Sequence, residues 1–595
     1  MEQNFSSVAR LFRFVGRSPR WILVLLSMFL LPIAGLQKPT VAAERIYLSY
    51  AALESSIPIK ALETYAEEGK LTDELAFYAQ DLSPQQLVQL RRVLLTQIDL
   101  NPVEVSQFLY TPIGKQLLQR LGELVQTEAR LSGFYALRAA LILAAADSDG
   151  LTLLNVLKKF PTDGIRVNLR RSLQIVNEIE RLINQTDQAI ALVERQAAVA
   201  ATSKSNINFS QLPSIRQPGS FSWNKQTLTV DNPRRERAFV ADLYLPRETG
   251  ERGFTAEDTS AAARFRRQET EGRQKRQGGQ GSNYQLPTTN YQIPVIVISH
   301  GLGSNRMTFE YLAQRLASYG FAVAVPEHLG SGAERLRSVL GGRYDAVVEP
   351  DEFINRPLDV TYLLNELEGL DAASPNVELN LQQVGIIGQS FGGYTALALA
   401  GSELNFAQLR NNCGEDSQLF NASLLLQCRV LGLPRRDYNL RDPRIKAAMA
   451  INPIASSVFG QAGLKQIQIP VAIVSSGADR VAPALAEQIQ PFSWLTAPEK
   501  YLILLEDGTH FSALGVENPA DEPLTIPTQL IGPNPALARR YINILSTAFF
   551  QTYIANRSQY RPYLSAAFAQ TISQAPLEID FVQSLPAERL TELLN

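Results

Sequence analysis

The sequence predicts an α/β protein with a mostly parallel sheet covered by helices on both faces, preceded by an all-α N-terminal domain. Three observations carry that expectation. From Ile293 onward, short apolar runs alternate with amphipathic segments of helical period. Between about residues 44 and 200, apolar positions recur at helical spacing instead. Residues 201–220 follow neither pattern and are rich in Ser, Asn, Pro and Gly, as linkers are. A chain of 595 residues has room for about two to three domains.

Taken in order, the first 43 residues read as an export signal. Arg10, Arg13, Arg17 and Arg20 form a positive leader, Trp21 to Leu36 an apolar run, and Val41, Ala42 and Ala43 a small-residue cleavage site. The alternative is an uncleaved membrane anchor, which the short run and Pro32 disfavour. Export to a periplasm or thylakoid lumen is the expected location. In the 44–200 domain, Ser83-Pro84, Asn101-Pro102 and Thr111-Pro112 each place a capping side chain before a proline at the first helical position. Gln86 and Glu104 stand where a capping box needs them, and Leu87, Leu90 and Leu94 make one apolar stripe. A last helix is expected over about 167–200. The domain holds no His and no Cys, which suits a packing or interaction role without chemistry of its own.

The catalytic-type domain is expected over 221–556. Residues 226–230 and 237–245 predict an antiparallel edge pair. A polar insertion over 247–290 carries Arg264, Arg266, Arg267, Arg273, Lys275 and Arg276 among Glu and Gln, and reads as a solvated segment, the alternative being a basic docking site for an anionic surface. Buried strands are expected at 294–299, 321–326, 384–388, 445–451, 470–476 and 501–505, a cap-like insertion at 401–440, and a helical extension over 557–595. The net charge of −2 offers no basic field for nucleic acid. Two cysteines and three dispersed histidines give no metal-ligand spacing, so neither metal nor cofactor is expected.

The chemistry concentrates where a strand ends in Gly388-Gln389-Ser390-Phe391-Gly392 and a helix begins at once. G-x-S-x-G between strand and helix is the nucleophile elbow of the α/β-hydrolase fold, which sets a serine hydroxyl at a helix N-terminus. A serine needs a base to take its proton. His510 is the single histidine after Ser390, in a Gly508-Thr509-His510 turn at the end of an apolar strand. Asp479 ends the preceding strand and is the expected acid orienting His510; Glu506 and Asp507 share the histidine's own turn and are the alternatives. Backbone N–H groups of Phe391 and Leu302 are the expected oxyanion donors. His300, Gly301 and Gly303 shape the loop carrying Leu302, while His328 and Gln389 are expected to shape the pocket. Cys413 and Cys428, in an exported chain, are expected to pair.

The combination of HGLG after a strand, EH at the next strand end, and GxSFGG resembles the platelet-activating factor acetylhydrolase branch of α/β-hydrolases, over roughly residues 290 to 515. That resemblance implies metal-independent hydrolysis of esters, including short or oxidised acyl groups on lipids. An ester substrate is the expected partner, with peripheral contact with a membrane left open. The sequence departs from the branch at one point. There the acid follows the strand after the nucleophile, whereas here that strand ends in Asn452. The whole chain, through AERIYLSY, GFYALRAALILAAADSDGLTLLNVLKKFP and FINRPLDVTYLL, is also similar to exported hydrolases of photosynthetic bacteria with an uncharacterised N-terminal domain. The rival reading is a catalytically silent hydrolase fold used for binding.

Overall fold

A computed structural model describes residues 42–50, 53–80, 82–203, 207–233, 235–247, 292–373, 378–414, 421–515 and 528–594. The body of the export signal and the polar insertion of 247–290 therefore lie outside the described residues, apart from Ala42, Ala43 and Arg247. The chain divides into two compact units, one of residues 1–102 with 121–170, the other of 103–120 with 171–595.

The first unit is not all helical. It contains four short strands, β1 (Arg45–Tyr50), β2 (Leu53–Pro58), β3 (Val125–Thr127) and β4 (Gly164–Asn168), in the order β2-β1-β4-β3. β1 runs parallel to β4, placing Leu48 opposite Val167, more than a hundred residues away. Strands this short depend on such distant partners, and the longer helical pattern around them dominates the local signal. Helices begin at Pro84 within this unit, at Pro102 on its boundary, and at Pro112 among residues grouped with the second unit. At the first of these, Gln86 N–H donates to Ser83 Oγ and Ser83 N–H to Gln86 Oε1, closing the capping box.

The second unit is built on a nine-stranded sheet, β13-β12-β11-β10-β9-β7-β8-β6-β5. Its strands are β5 (Ser222–Asn232), β6 (Arg237–Arg247), β7 (Ile293–Ser299), β8 (Ala322–Pro326), β9 (Leu379–Gln389), β10 (Ile445–Ile451), β11 (Val471–Ser476), β12 (Lys500–Leu505) and β13 (Ile579–Val582). The six from β8 to β12 are parallel, with antiparallel strands at both edges.

Each central strand is apolar on both sides because the sheet has a core on each face. Val295, Val297, Ile386, Ala450 and Ile473 point into one core, with the helices Glu352–Ala373 and Phe391–Leu399. Ile296, Ile298, Ile387, Ile451 and Val474 point into the other, against helices Glu310–Ser318 and Pro535–Tyr553.

Three expectations are corrected at the margins. The long helix Leu169–Ser203 crosses the unit boundary, and its buried Ala189, Val193 and Ala197 belong to the first core of the second unit. Their i, i+4, i+8 spacing makes one narrow stripe of small side chains, which suits close approach to the sheet. The linker is not free: Ile215 is buried in the second core, and Tyr563 Oη donates to the Pro213 carbonyl. The C-terminal extension is not purely helical, since β13 pairs antiparallel with β12 and widens the sheet.

Candidate active site

The site lies at the C-terminal ends of β7, β9, β11 and β12. β9 stops at Gln389, and Ser390 turns the chain with φ 56 and ψ −116 before the helix starts at Phe391. A positive φ is costly for a residue with a Cβ and is sustained only where the surroundings over-determine it. Ser390 N–H donates to the Ile451 carbonyl at 2.8 Å and Tyr394 N–H to the Ser390 carbonyl at 3.0 Å. The flanking glycines are required by contact. A Cβ on Gly388 would stand 2.1 Å from the Gly392 carbonyl oxygen, and one on Gly392 would stand 1.9 Å from that of Ser299.

This turn aims the Ser390 hydroxyl at the loop after β12. His510 Nε2 lies 2.9 Å from Ser390 Oγ, and His510 Nδ1 lies 2.7 Å from Asp479 Oδ2. Gln389 Nε2 donates to the His510 carbonyl, tying that loop to the elbow. Asp479 is saturated with donors. Its Oδ1 accepts the N–H groups of Val481 and Ala482, each at 2.8 Å, and its Oδ2 also accepts Asn452 Nδ2 at 2.7 Å. Four donors converge on the carboxylate and fix it, and with Nδ1 donating to Oδ2 the imidazole turns Nε2 toward the serine. Such an arrangement can accept a hydroxyl proton as the oxygen attacks an electrophilic carbon. Asn452, at the end of β10, is thus a hydrogen-bond donor to the acid and has a φ of 44. Of the two alternative acids, Glu506 faces Asp580 of β13 instead of the imidazole.

The loop after β7 packs directly on the elbow. A Cβ on Gly301 would lie 2.5 Å from Gln389 Oε1 and 3.5 Å from Ser390 Cβ. Gly303 has φ +71 and donates to the Ser331 carbonyl. Phe391 is the first residue of its helix, so its N–H precedes the intrahelical ladder. Leu302 N–H meets no acceptor among the described residues.

His300 is fully buried, with Nδ1 bonded to the Gly301 carbonyl and Nε2 accepting the His328 N–H. Burial, reinforced by the Arg356 guanidinium, pushes its pKa down to about 3, so it is neutral and shapes the loop. His328 is equally buried, and its Nε2 meets Ser299 Oγ at 2.8 Å. It supports the strand ends from within and does not line an open wall.

The sequence reading missed Arg356. This side chain is wholly buried and donates to the His300 carbonyl at 2.7 Å and to Ser331 Oγ at 3.0 Å. Its guanidinium sits 4.4 Å from the centroid of the Phe391 ring. One cation therefore clamps the β7 loop to the helix that follows Ser390. Burial lowers its pKa to about 9, which leaves it charged at neutral pH. The signal that could have found it is an arginine amid the apolar stripe of FINRPLDVTYLL.

The remaining predicted pair, Cys413 and Cys428, is disulfide-bonded, with Cα atoms 5.7 Å apart.

Comparison with known proteins gives two family matches. Residues 42–168 match the family described as an alpha/beta hydrolase of unknown function. Residues 240–338, which include the β7 loop and His328 but end before Ser390, match platelet-activating factor acetylhydrolase, isoform II. Platelet-activating factor acetylhydrolase of Canis lupus familiaris is 26% identical over 159 residues, covering 21% of this chain and 36% of that protein. The match thus spans about a third of the relative's length. With the nine-stranded sheet and its elbow, these matches show the α/β-hydrolase fold and a resemblance to the platelet-activating factor acetylhydrolases.

Proposed function

We propose that the chain hydrolyses carboxylic esters through an acyl-enzyme on Ser390. The observation that carries the reading is the continuous chain Ser390 Oγ, His510 Nε2, His510 Nδ1, Asp479 Oδ2, with links of 2.9 and 2.7 Å. Ser390 Oγ attacks the ester carbonyl as His510 Nε2 takes its proton. The tetrahedral oxyanion is received by the N–H groups of Phe391 and Leu302. His510 then protonates the departing alkoxide. In the second half, water loses a proton to His510, attacks the acyl carbon and releases the acid with Ser390 restored.

The likeness to acetylhydrolases of platelet-activating factor supports short-acyl or lipid esters as the substrate class. The N-terminal leader and the Cys413–Cys428 bond together support export to an oxidising compartment. Among the described residues no helix is long and apolar enough to cross a membrane.

The test is labelling with a fluorophosphonate and turnover of p-nitrophenyl esters of increasing acyl length. Ser390→Ala abolishes labelling and lowers turnover by at least about 10³-fold, and His510→Ala does the same to turnover. A pure Ser390→Ala sample that keeps more than about a tenth of the wild-type rate refutes the reading.

A further inference from the structure

Cationic side chains seldom gather without an acid among them, because like charges a few ångströms apart repel. Between helices Glu310–Ser318 and Pro535–Tyr553, on the second face of the sheet, lies a pocket of about 250 Å³. Arg216, Arg315, Arg539 and Arg540 line it, together with Tyr311 and Asn543. Among the described residues, none of these four guanidinium groups has a carboxylate partner.

Their hydrogen bonds go to neutral oxygens. Arg315 donates to the Ile215 carbonyl, Arg216 to Thr571 Oγ1 at 3.2 Å, Arg539 to the Leu514 carbonyl at 3.1 Å, and Arg540 to Gln574 Oε1 at 3.5 Å. Arg315 is 8% exposed, and its Nε is buried with no partner. Enclosed by protein, that Nε does not open on the pocket, and what Arg315 brings to the pocket wall is its charge.

We propose that this pocket binds a phosphate-class oxyanion, carried by a soluble phosphate compound or by a lipid headgroup. Tetrahedral oxygens accept several donors at once, and planar guanidinium forks supply them with matching geometry and charge. The proposal does not depend on ester hydrolysis at Ser390. The pocket is nonetheless joined to the loop bearing His510, since Tyr311 Oη donates to the Ala513 carbonyl at 2.8 Å and Arg539 to the next residue's.

The experiment uses the full chain. Inorganic phosphate is titrated by calorimetry and by thermal unfolding, against chloride at matched ionic strength, which separates binding from screening. Phosphate is expected to release heat and raise the unfolding midpoint, and chloride to do neither. The double variant Arg216→Gln/Arg540→Gln removes two less buried donors and should weaken phosphate binding by about tenfold or more at unchanged circular dichroism. Arg315→Lys keeps the charge but loses the planar guanidinium fork, and is expected to weaken binding too. Sedimentation with phosphatidylglycerol vesicles then distinguishes the sources. Vesicle binding that the double variant loses assigns a lipid headgroup; phosphate binding without vesicle binding assigns a soluble ligand. Phosphate acting no differently from chloride, or binding the double variant as well as the wild type, overturns the proposal.

Discussion

Asp479→Asn is the sharpest perturbation of the proposed mechanism, because the replacement is nearly isosteric and every neighbour of the carboxylate is a donor. Val481 N–H and Ala482 N–H point at Oδ1, while His510 Nδ1 and Asn452 Nδ2 point at Oδ2. An asparagine must turn its N–H₂ toward one of these pairs. The backbone pair is fixed by the turn after β11, so the amide oxygen stays there and the N–H₂ faces His510. The imidazole then satisfies it by becoming an acceptor at Nδ1, which moves its proton to Nε2. A protonated Nε2, 2.9 Å from Ser390 Oγ, donates to the serine and cannot take its proton. The expected loss is about 10⁴-fold in kcat, or about 5 kcal/mol of barrier, with KM little changed. The assay is kcat and KM on a p-nitrophenyl ester, with circular dichroism to show that the fold survives. A loss below about tenfold would mean that Asp479 does not set the tautomer of His510.

Two further outcomes follow from buried charges. Arg356→Met leaves the His300 carbonyl and Ser331 Oγ without their cationic donor, which costs about 1–3 kcal/mol per acceptor in urea unfolding; a change under about 0.5 kcal/mol would show that Arg356 is no clamp. Glu506 has its pKa raised from 4.5 to about 8, first by burial and then by its hydrogen bond and proximity to Asp580, with Glu194 and Glu578 adding to the effect. Between those values the folded state holds a proton that the unfolded chain has released, so stability falls as pH rises through this window. Glu506→Gln removes that slope. It should raise the unfolding midpoint at about pH 8 and leave it nearly unchanged at about pH 5. The same shift at both pH values would exclude titration of this carboxyl as the cause.

The sequence by itself indicated the class of the sheet and the three residues that the fold brings together at its edge. Apolar runs such as PVIVIS and VGIIG, alternating with helical segments, read as strands covered on both faces, and Gly388 to Gly392 between strand and helix as a sharp turn at Ser390. With three histidines in the chain, order alone selected His510. These features are local, or follow from strand order in a known topology. What the tertiary structure decided is everything set by contact between distant segments. β1 and β4 are too short to declare themselves and exist through each other. The stripe of Ala189, Val193 and Ala197 says that a helix packs closely, not on which unit. Asn452 looked like the loss of an acid, and only the fold shows it donating to Asp479. Arg356 and the arginines around Arg315 were scattered cations in the sequence. Their meaning comes from the loss of water around them and from the partners they find or lack, which burial alone decides.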